Sequence, residues 1–234
     1  NLPFVPDGEG NLAWSAAKLL LDEKGIKDGV TIKIRKYIPV AAGMAGGSTD
    51  AAAVLVGVNR MFDLGFTKKE LMERGVKLGA DVPYCIMRGT ALSEGIGEIL
   101  TELPAPPQCH LVIAKPQISV STKAVYGKLR VNELAPEEHP DIDGMIRALS
   151  AGDLDGVAAR LCNVFEEFLP EEYHEVFHIK NRLLELGALN AAMSGSGPTV
   201  FGIFREETAA KAALTALKQR YPQTYLAKPV GELV

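Results

Sequence analysis

The sequence predicts a mixed helix-and-strand protein, α/β or α+β, built in two consecutive parts. Three observations carry this. Helical and strand patterns alternate along all 234 residues, with no internal repeat and no low-complexity stretch. Pro104, Pro106 and Pro107 interrupt the patterning near the middle, which places a boundary there and divides the chain into residues 1–104 and 105–234. Apolar residues make up 47% and charged residues 23%, the balance of a globular protein with enough chain to bury a core without staples.

Taken in order, residues 11–23 place Trp14, Ala17, Leu20 and Leu21 at helical spacing, and Gly25 ends that helix. Residues 30–35 alternate apolar and polar, the pattern of a half-buried strand. A loop of small residues follows. It leads into a helix expected from Ser48 to Phe62, with Ala52, Leu55, Val56, Asn59 and Phe62 on its core face. Thr67 opens the next helix with Glu70 at the capping-box position, and Gly79 closes it. Beyond the prolines come a strand at 111–114, several helices, paired strands at 188–193 and 199–204, a helix at 206–220 and a last strand at 225–228.

Several function classes are excluded early. The formal net charge is -4, and Lys and Arg are scattered rather than striped, so no footprint for nucleic acid is present. No apolar run approaches the ~20 residues of a membrane span. The first ten residues carry Asp7 and Glu9 and lack the apolar region of a signal peptide. Cys85, Cys109 and Cys162 are odd in number and widely spaced, which predicts reduced thiols, a cytoplasmic setting and small buried side chains.

The most informative segment is Pro39, Val40, Ala41, Ala42, Gly43, Met44, Ala45, Gly46, Gly47, Ser48 and Thr49. Glycine and alanine keep side chains out of the way, so the backbone can approach a ligand closely. The helix that follows leaves its first N–H groups without intrahelical partners, and with the helix dipole they favour an anion. Hydrogen bonds to a charged group contribute about 1.5–3 kcal/mol each, against roughly 0.3–1 kcal/mol for the dipole at an exposed site. Several amides therefore outweigh the dipole. Ser48 and Thr49 add hydroxyls, and Ser48 can face a magnesium ion. The bland alternative is a strand-to-helix turn with Ser48 as N-cap. Neither common phosphate motif fits. A P-loop needs lysine where Gly47 stands, and Gly195-Ser196-Gly197 is followed by Val200 where a third glycine belongs.

A second pattern competes. His174-Glu175-Val176-Phe177-His178 fits H-E-x-x-H, two imidazoles on one helix face with a general-base glutamate. The extended form of that motif fails at Asn181 and Leu184, so a third zinc ligand would have to be a carboxylate such as Glu185.

The glycine loop resembles the second motif of the kinase superfamily that includes galactokinase, homoserine kinase, mevalonate kinase and phosphomevalonate kinase. Within it the sequence is more similar to the 4-diphosphocytidyl-2-C-methyl-D-erythritol kinase family. Four further segments carry that likeness: Asn11-Leu12 with Ala16, Ala17, Leu19 and Leu20; Leu78-Gly79-Ala80-Asp81-Val82-Pro83; Gly95-Ile96-Gly97-Glu98-Ile99-Leu100; and Met193-Ser194-Gly195-Ser196-Gly197.

The resemblance implies an α+β, two-domain small-molecule kinase of the non-mevalonate isoprenoid pathway. ATP would be co-substrate with Mg2+, and a small cytidylyl molecule would receive the γ-phosphate on its 2-hydroxyl, with neither nucleic acid nor membrane as partner. The glycine loop would wrap the ATP phosphates, with Asn11 and Lys36 near the nucleotide. Asp81 would be the catalytic base. Thr122 and Tyr126 would line the cytidine pocket, with Gly195 and Ser196 on the substrate side. Asp50, the rival base, sits in the first turn of the loop helix, where an acid is favourable for dipole reasons alone. Asp81 follows a helix end and precedes Val82-Pro83, which predicts an extended exit from which its side chain can point into a cleft; the bland alternative is a loop carboxylate that caps local backbone. The family's opening strand, with its catalytic lysine, and its Gly-Tyr-His segment have no counterpart here. Lys33 and Lys36 are not equivalents of that lysine. The first domain is thus expected to be incomplete at its start and the chain by itself a slow kinase. Ala45 stands where the family often has glycine, and a methyl is tolerated there if φ is negative.

Overall fold

The structure, a computed structural model, describes residues 5–118, 122–130, 133–135 and 138–230. It divides into two compact units: Asn1–Val40 with Ala45–Glu102, and Ala41–Met44 with Leu103–Val234.

The first unit is mainly helical. α1 (Leu12–Glu23) is N-capped by Asn11, whose side chain accepts the Ala13 amide. It ends at Gly25, whose φ of 66° releases the chain. α2 (Gly46–Met61), α3 (Lys68–Gly75) and α4 (Val82–Met87) follow, and then β1 (Thr90–Glu94) and β2 (Ile99–Leu103) pair as a two-stranded sheet. The core joins Ala16 and Leu20 of α1 to Ala51 and Leu55 of α2 and to Val82 and Ile86 of α4. Leu20 and Leu55 are fully buried, each contributing about 1.5–3 kcal/mol.

Several boundaries differ from the expectation. α2 opens at Gly46, two residues before Ser48, and buries Ala51, Ala52, Leu55 and Val58. Val56, Asn59 and Phe62 are half-buried. Asn59 is held at the rim because its amide bonds both the Phe66 carbonyl (2.9 Å) and the Phe66 amide (3.0 Å). α3 has the capping box expected of Thr67 and Glu70 but stops at Gly75, not Gly79. A Cβ at Gly75 would lie 2.9 Å from Val82 Cγ1, so glycine there lets α4 pack against the helix end. Residues 30–35 alternate in burial as expected: Val30, Ile32 and Ile34 are half-buried, and Thr31, Lys33 and Arg35 are exposed. They pair with no strand among the described residues. Alternation reports which face is covered, whereas a strand also needs a hydrogen-bonded neighbour.

The second unit carries β3 (His110–Ala114), α5 (Thr122–Lys128), α6 (Ile142–Ala151), α7 (Leu154–Ala159), a 3-10 turn (Val164–Phe168), α8 (His174–Glu185), β4 (Asn190–Met193), β5 (Val200–Phe204), α9 (Glu207–Lys218) and β6 (Thr224–Ala227). Its sheet runs β4-β5-β3-β6, and every pairing is antiparallel, which makes the class α+β. Val112 and Phe204 pack with Val176 and Ile179 of α8 and Ala213 and Leu217 of α9. Leu111 and Ile203, on the opposite face, pack with Ala148 and Leu149 of α6 and Val157 of α7. Met193 pairs with Val200, so the Ser194–Gly197 glycine motif is the turn of a hairpin. Cys109 is buried and Cys85 half-buried, but Cys162 is exposed, contrary to the expectation for all three. No helix among the described residues is long and apolar enough to cross a membrane.

Candidate active site

Within the glycine loop, Pro39 and Ala42 are buried, Val40, Ala41, Gly47 and Thr49 are exposed, and Gly43, Met44, Ala45, Gly46 and Ser48 are half-buried. Ala41 and Ala45 both take left-handed φ, 51° and 48°. The condition of negative φ for a methyl at position 45 is therefore not met, and the methyl group is held at a cost of roughly 1–2 kcal/mol. Ala45 occupies the N-cap of α2, and no side chain caps that helix. Ser48 is thus not the N-cap but the third helical residue. Its amide and those of Gly46 and Gly47 form the helix's positive end.

Lys36 and Asp50 brace this helix start. Lys36 Nζ donates to the Gly46 carbonyl (2.8 Å) and to Asp50 Oδ2 (2.6 Å). The two side chains are 8% and 26% exposed, so the pair is shielded from bulk water. Asp50 is held by a cation, which removes it as a free base. A Cβ at Gly46 would come within 3.0 Å of Ile38 Cγ2 and 3.2 Å of Lys36 Nζ, so glycine leaves room for the lysine. Nothing in the sequence pattern singled out the Lys36–Asp50 pair.

Asp81 is the N-cap of α4, with φ −82° and ψ −11°. The extended exit expected from Pro83 is corrected: proline is well tolerated in a helix's first turn, and here α4 begins on it. The Asp81 carboxylate makes no capping bond. It is exposed and lines a cavity of about 270 Å³ with Tyr84, Thr90, Ser93 and Gly97. One turn further, Cys85 Sγ lies 3.5 Å from Thr49 Oγ1, so the starts of α2 and α4 are neighbours. Burial pushes the Cys85 thiol above its ordinary pKa, which keeps it neutral.

Asn11 and Lys36 meet in a groove of about 200 Å³ with Trp14, Val30, Ile32 and Ile34. Asn11 is engaged at both ends of its amide, to the Ala13 amide (3.0 Å) and the Pro6 carbonyl (2.9 Å). It shapes the groove with its polar atoms already bonded.

In the second unit, Tyr126 on α5 is 58% exposed. Its ring meets Phe165 edge to face at 4.8 Å. Thr122 opens α5; its side chain and residues Ser119, Val120 and Ser121 lie outside the described residues. Gly195 takes φ 54° in the hairpin turn beside Ser196. Ser194 Oγ donates to the Gly43 carbonyl at 2.8 Å. A Cβ at Gly43 would lie 2.1 Å from the Ser194 carbonyl oxygen, so only glycine fits there.

The zinc-hydrolase pattern is otherwise engaged. Glu175 accepts from Arg220 (2.6 Å) and from the Tyr221 hydroxyl, and His178 Nε2 lies 3.2 Å from Arg220. The Tyr221 bond leads in holding the Glu175 carboxyl below its usual range. Glu185 pairs with Arg182 at 2.7 Å. Among the described residues, no cluster of three His, Cys, Asp or Glu side chains is placed to hold a metal ion.

An uncapped helix start beside a free carboxylate is the equipment of a phosphoryl-transfer enzyme, and the comparisons with known proteins agree. The GHMP kinases N terminal domain matches residues 11–89 and the GHMP kinases C terminal domain matches residues 145–223. The molecule is a small-molecule kinase. A 4-diphosphocytidyl-2-C-methyl-D-erythritol kinase from Lachnospira eligens is 50% identical over 220 residues, covering 94% of this chain and 76% of the relative. One of the same name from Lachnoclostridium phytofermentans is 51% identical over 218 residues, covering 93% and 74%. A crystal structure of 4-(cytidine 5'-diphospho)-2C-methyl-D-erythritol kinase superposes with a TM-score of 0.83 at 30% identity, covering 99% of this chain and 81% of that one. The chain belongs to the 4-diphosphocytidyl-2-C-methyl-D-erythritol kinase family.

Proposed function

We propose that this enzyme transfers the ATP γ-phosphate to the 2-hydroxyl of 4-diphosphocytidyl-2-C-methyl-D-erythritol, in the cytoplasm and in the non-mevalonate route to isoprenoids. The observation that carries the chemistry is the Asp81 carboxylate, left without a capping bond beside the uncapped start of α2. The acceptor oxygen bonds to the γ-phosphorus as the bond to the β-phosphate oxygen breaks. ADP leaves, and the hydroxyl proton passes to Asp81. Phosphoryl transfer runs through a loose transition state, so positioning and charge stabilisation dominate.

In this reading residues 1–104 form the nucleotide-binding domain and residues 105–234 the substrate-side domain. Pro39, Val40, Ala41, Ala42, Gly43, Met44, Ala45, Gly46, Gly47, Ser48 and Thr49 cradle the phosphates. The groove with Asn11 and Lys36 takes the nucleoside, with Trp14 and Ile32 as apolar walls. The Ser48 hydroxyl and the phosphate oxygens are the hard oxygen donors that suit magnesium, which neutralises charge on the triphosphate when bound. Thr122, Tyr126, Gly195 and Ser196 serve the cytidylyl acceptor, with the exposed Tyr126 ring free to stack on the base.

The test is ADP release with ATP, magnesium and one of three acceptors. Release is expected with the cytidylyl methylerythritol and not with homoserine or mevalonate. Turnover of homoserine or mevalonate alone refutes the substrate assignment. Tyr126→Ala should raise the acceptor KM about tenfold, in line with ~1–3 kcal/mol for one stacked base, and the ATP KM much less. The reverse order removes Tyr126 from the acceptor site.

A further inference from the structure

Behind the Ser194–Gly197 turn lies a cluster of polar side chains that the reaction chemistry does not use. Asn163 precedes the 3-10 turn, and its Nδ2 donates to two carbonyls, Met193 O at 2.7 Å and Gly195 O at 2.9 Å. Its Oδ1 accepts the Phe165 amide at 3.0 Å, so the whole amide is engaged. Glu166, on the same turn and 7% exposed, accepts the Met193 amide at 2.7 Å and pairs with Lys180 of α8. Both peptide groups of Met193 are thereby fixed by side chains of one turn. The glycine hairpin has two backbone bonds of its own, Ser194 N to Thr199 O (2.8 Å) and Gly197 N to Ser194 O (2.9 Å), but Gly195 and Gly197 take positive φ and carry no side chain to pack, so the bonds from Asn163 and Glu166 add to its hold.

The next bond in the chain of contacts reaches the glycine loop: Ser194 donates to Gly43, whose Cα packs against the Ser194 carbonyl with no room for a methyl. We infer that Asn163 and Glu166 are positioning residues for phosphate binding. They fix Met193–Gly195, and Ser194 then fixes Gly43 in the conformation that lets the loop receive the ATP phosphates. This rests on the reading of the Gly43 loop as a phosphate site.

The test separates the phosphates from the nucleoside. Equilibrium dialysis with ATP and with adenosine is run on the wild type, Asn163→Asp and Ser194→Ala. Asn163→Asp keeps the acceptor for Phe165 but sets an acid against two carbonyl oxygens. It should weaken ATP binding about tenfold or more, as expected for losing two hydrogen bonds and facing the Met193 and Gly195 carbonyls with a like-charged acceptor, with adenosine affinity within about twofold of wild type. Ser194→Ala, which removes only the hydroxyl, should weaken ATP about threefold to tenfold with adenosine again unchanged. A merely structural role would lower both affinities together, and that outcome overturns the inference, as does an unchanged ratio of ATP to adenosine affinity. If Asn163→Asp does not fold, Ser194→Ala decides by the same ratio. A wild type that binds neither molecule refutes the nucleotide site itself, a failure distinct from that of the positioning role.

Discussion

Two helix starts of the second unit differ from two of the first, although α1 and α3 of the first unit are capped by Asn11 and Thr67. In the second unit α6 and α7 open on Asp141 and Asp153, whose carboxylates accept the amides of Gly144 (2.8 Å) and Gly156 (2.9 Å). Glycine makes room for these carboxylates: a Cβ at either position would fall 1.9 Å or 2.3 Å from Oδ2, the oxygen that does not cap. In the first unit α4 also opens on an aspartate, yet Asp81 caps nothing. Its second helical position is Pro83, which has no N–H, and its third is Tyr84 in place of glycine. α2 opens on Ala45, which has no capping group at all. The same residue type at a helix start is thus closed off by local amides in one unit and left without a capping bond in the other. The backbone of the aspartate decides which: Asp81 sits at a helical ψ of −11°, whereas Asp141 and Asp153 sit at ψ 75° and 95°, where a side chain can turn back to the helix amides.

The largest effect that can break this comparison is on turnover. Asp81→Asn should lower kcat about 10²–10⁴-fold, the range for a general base, with ATP affinity nearly intact. Asp153→Asn should leave kcat within about twofold, because its oxygen serves only Gly156. Equal losses from the two substitutions would erase the distinction. Next comes Gly46→Val, whose side chain would press on Ile38 and Lys36 rather than stand in the path of the phosphate. By displacing the lysine that braces α2, it should weaken ATP binding about tenfold, close to one lost charge-assisted hydrogen bond. Unchanged affinity by calorimetry would return α2 to an ordinary helix start. Asp141→Ala should cost about 1 kcal/mol of stability in urea, typical for a lost N-cap, with activity retained. The smallest expected change is a gain. Ala45→Gly relieves left-handed strain and should raise stability by up to about 1 kcal/mol, seen as a higher melting temperature. A loss of stability would mean that the Ala45 methyl makes a contact worth more than its strain.

Much of this was legible in the sequence where it depends on neighbours. The Thr67–Glu70 box, the Asn11-capped α1 and the antiparallel pair around the Ser194 turn all follow from patterns within a few residues. Asp81 could be singled out by resemblance, but its helical conformation could not, because proline permits either an extended exit or a helix start. The hairpin of β1 and β2 went unread, since Thr90–Glu94 and Ile99–Leu103 show little burial and hence weak alternation. Asn163 and Glu166 were invisible for a different reason. Their partners lie about thirty residues away, across β4, and only the folded chain brings them together.

The unpaired alternation at residues 30–35 bears on how the protein behaves at high concentration. Ile32 and Ile34 lie on its covered side, and Lys33 and Arg35 stand on the exposed side. An extended segment that pairs with no strand among the described residues offers an edge to which a second chain can add. Two copies meeting there would bring the cations Lys33 and Arg35 of one against those of the other. That repulsion acts as a gatekeeper against edge-to-edge aggregation, at low salt most of all.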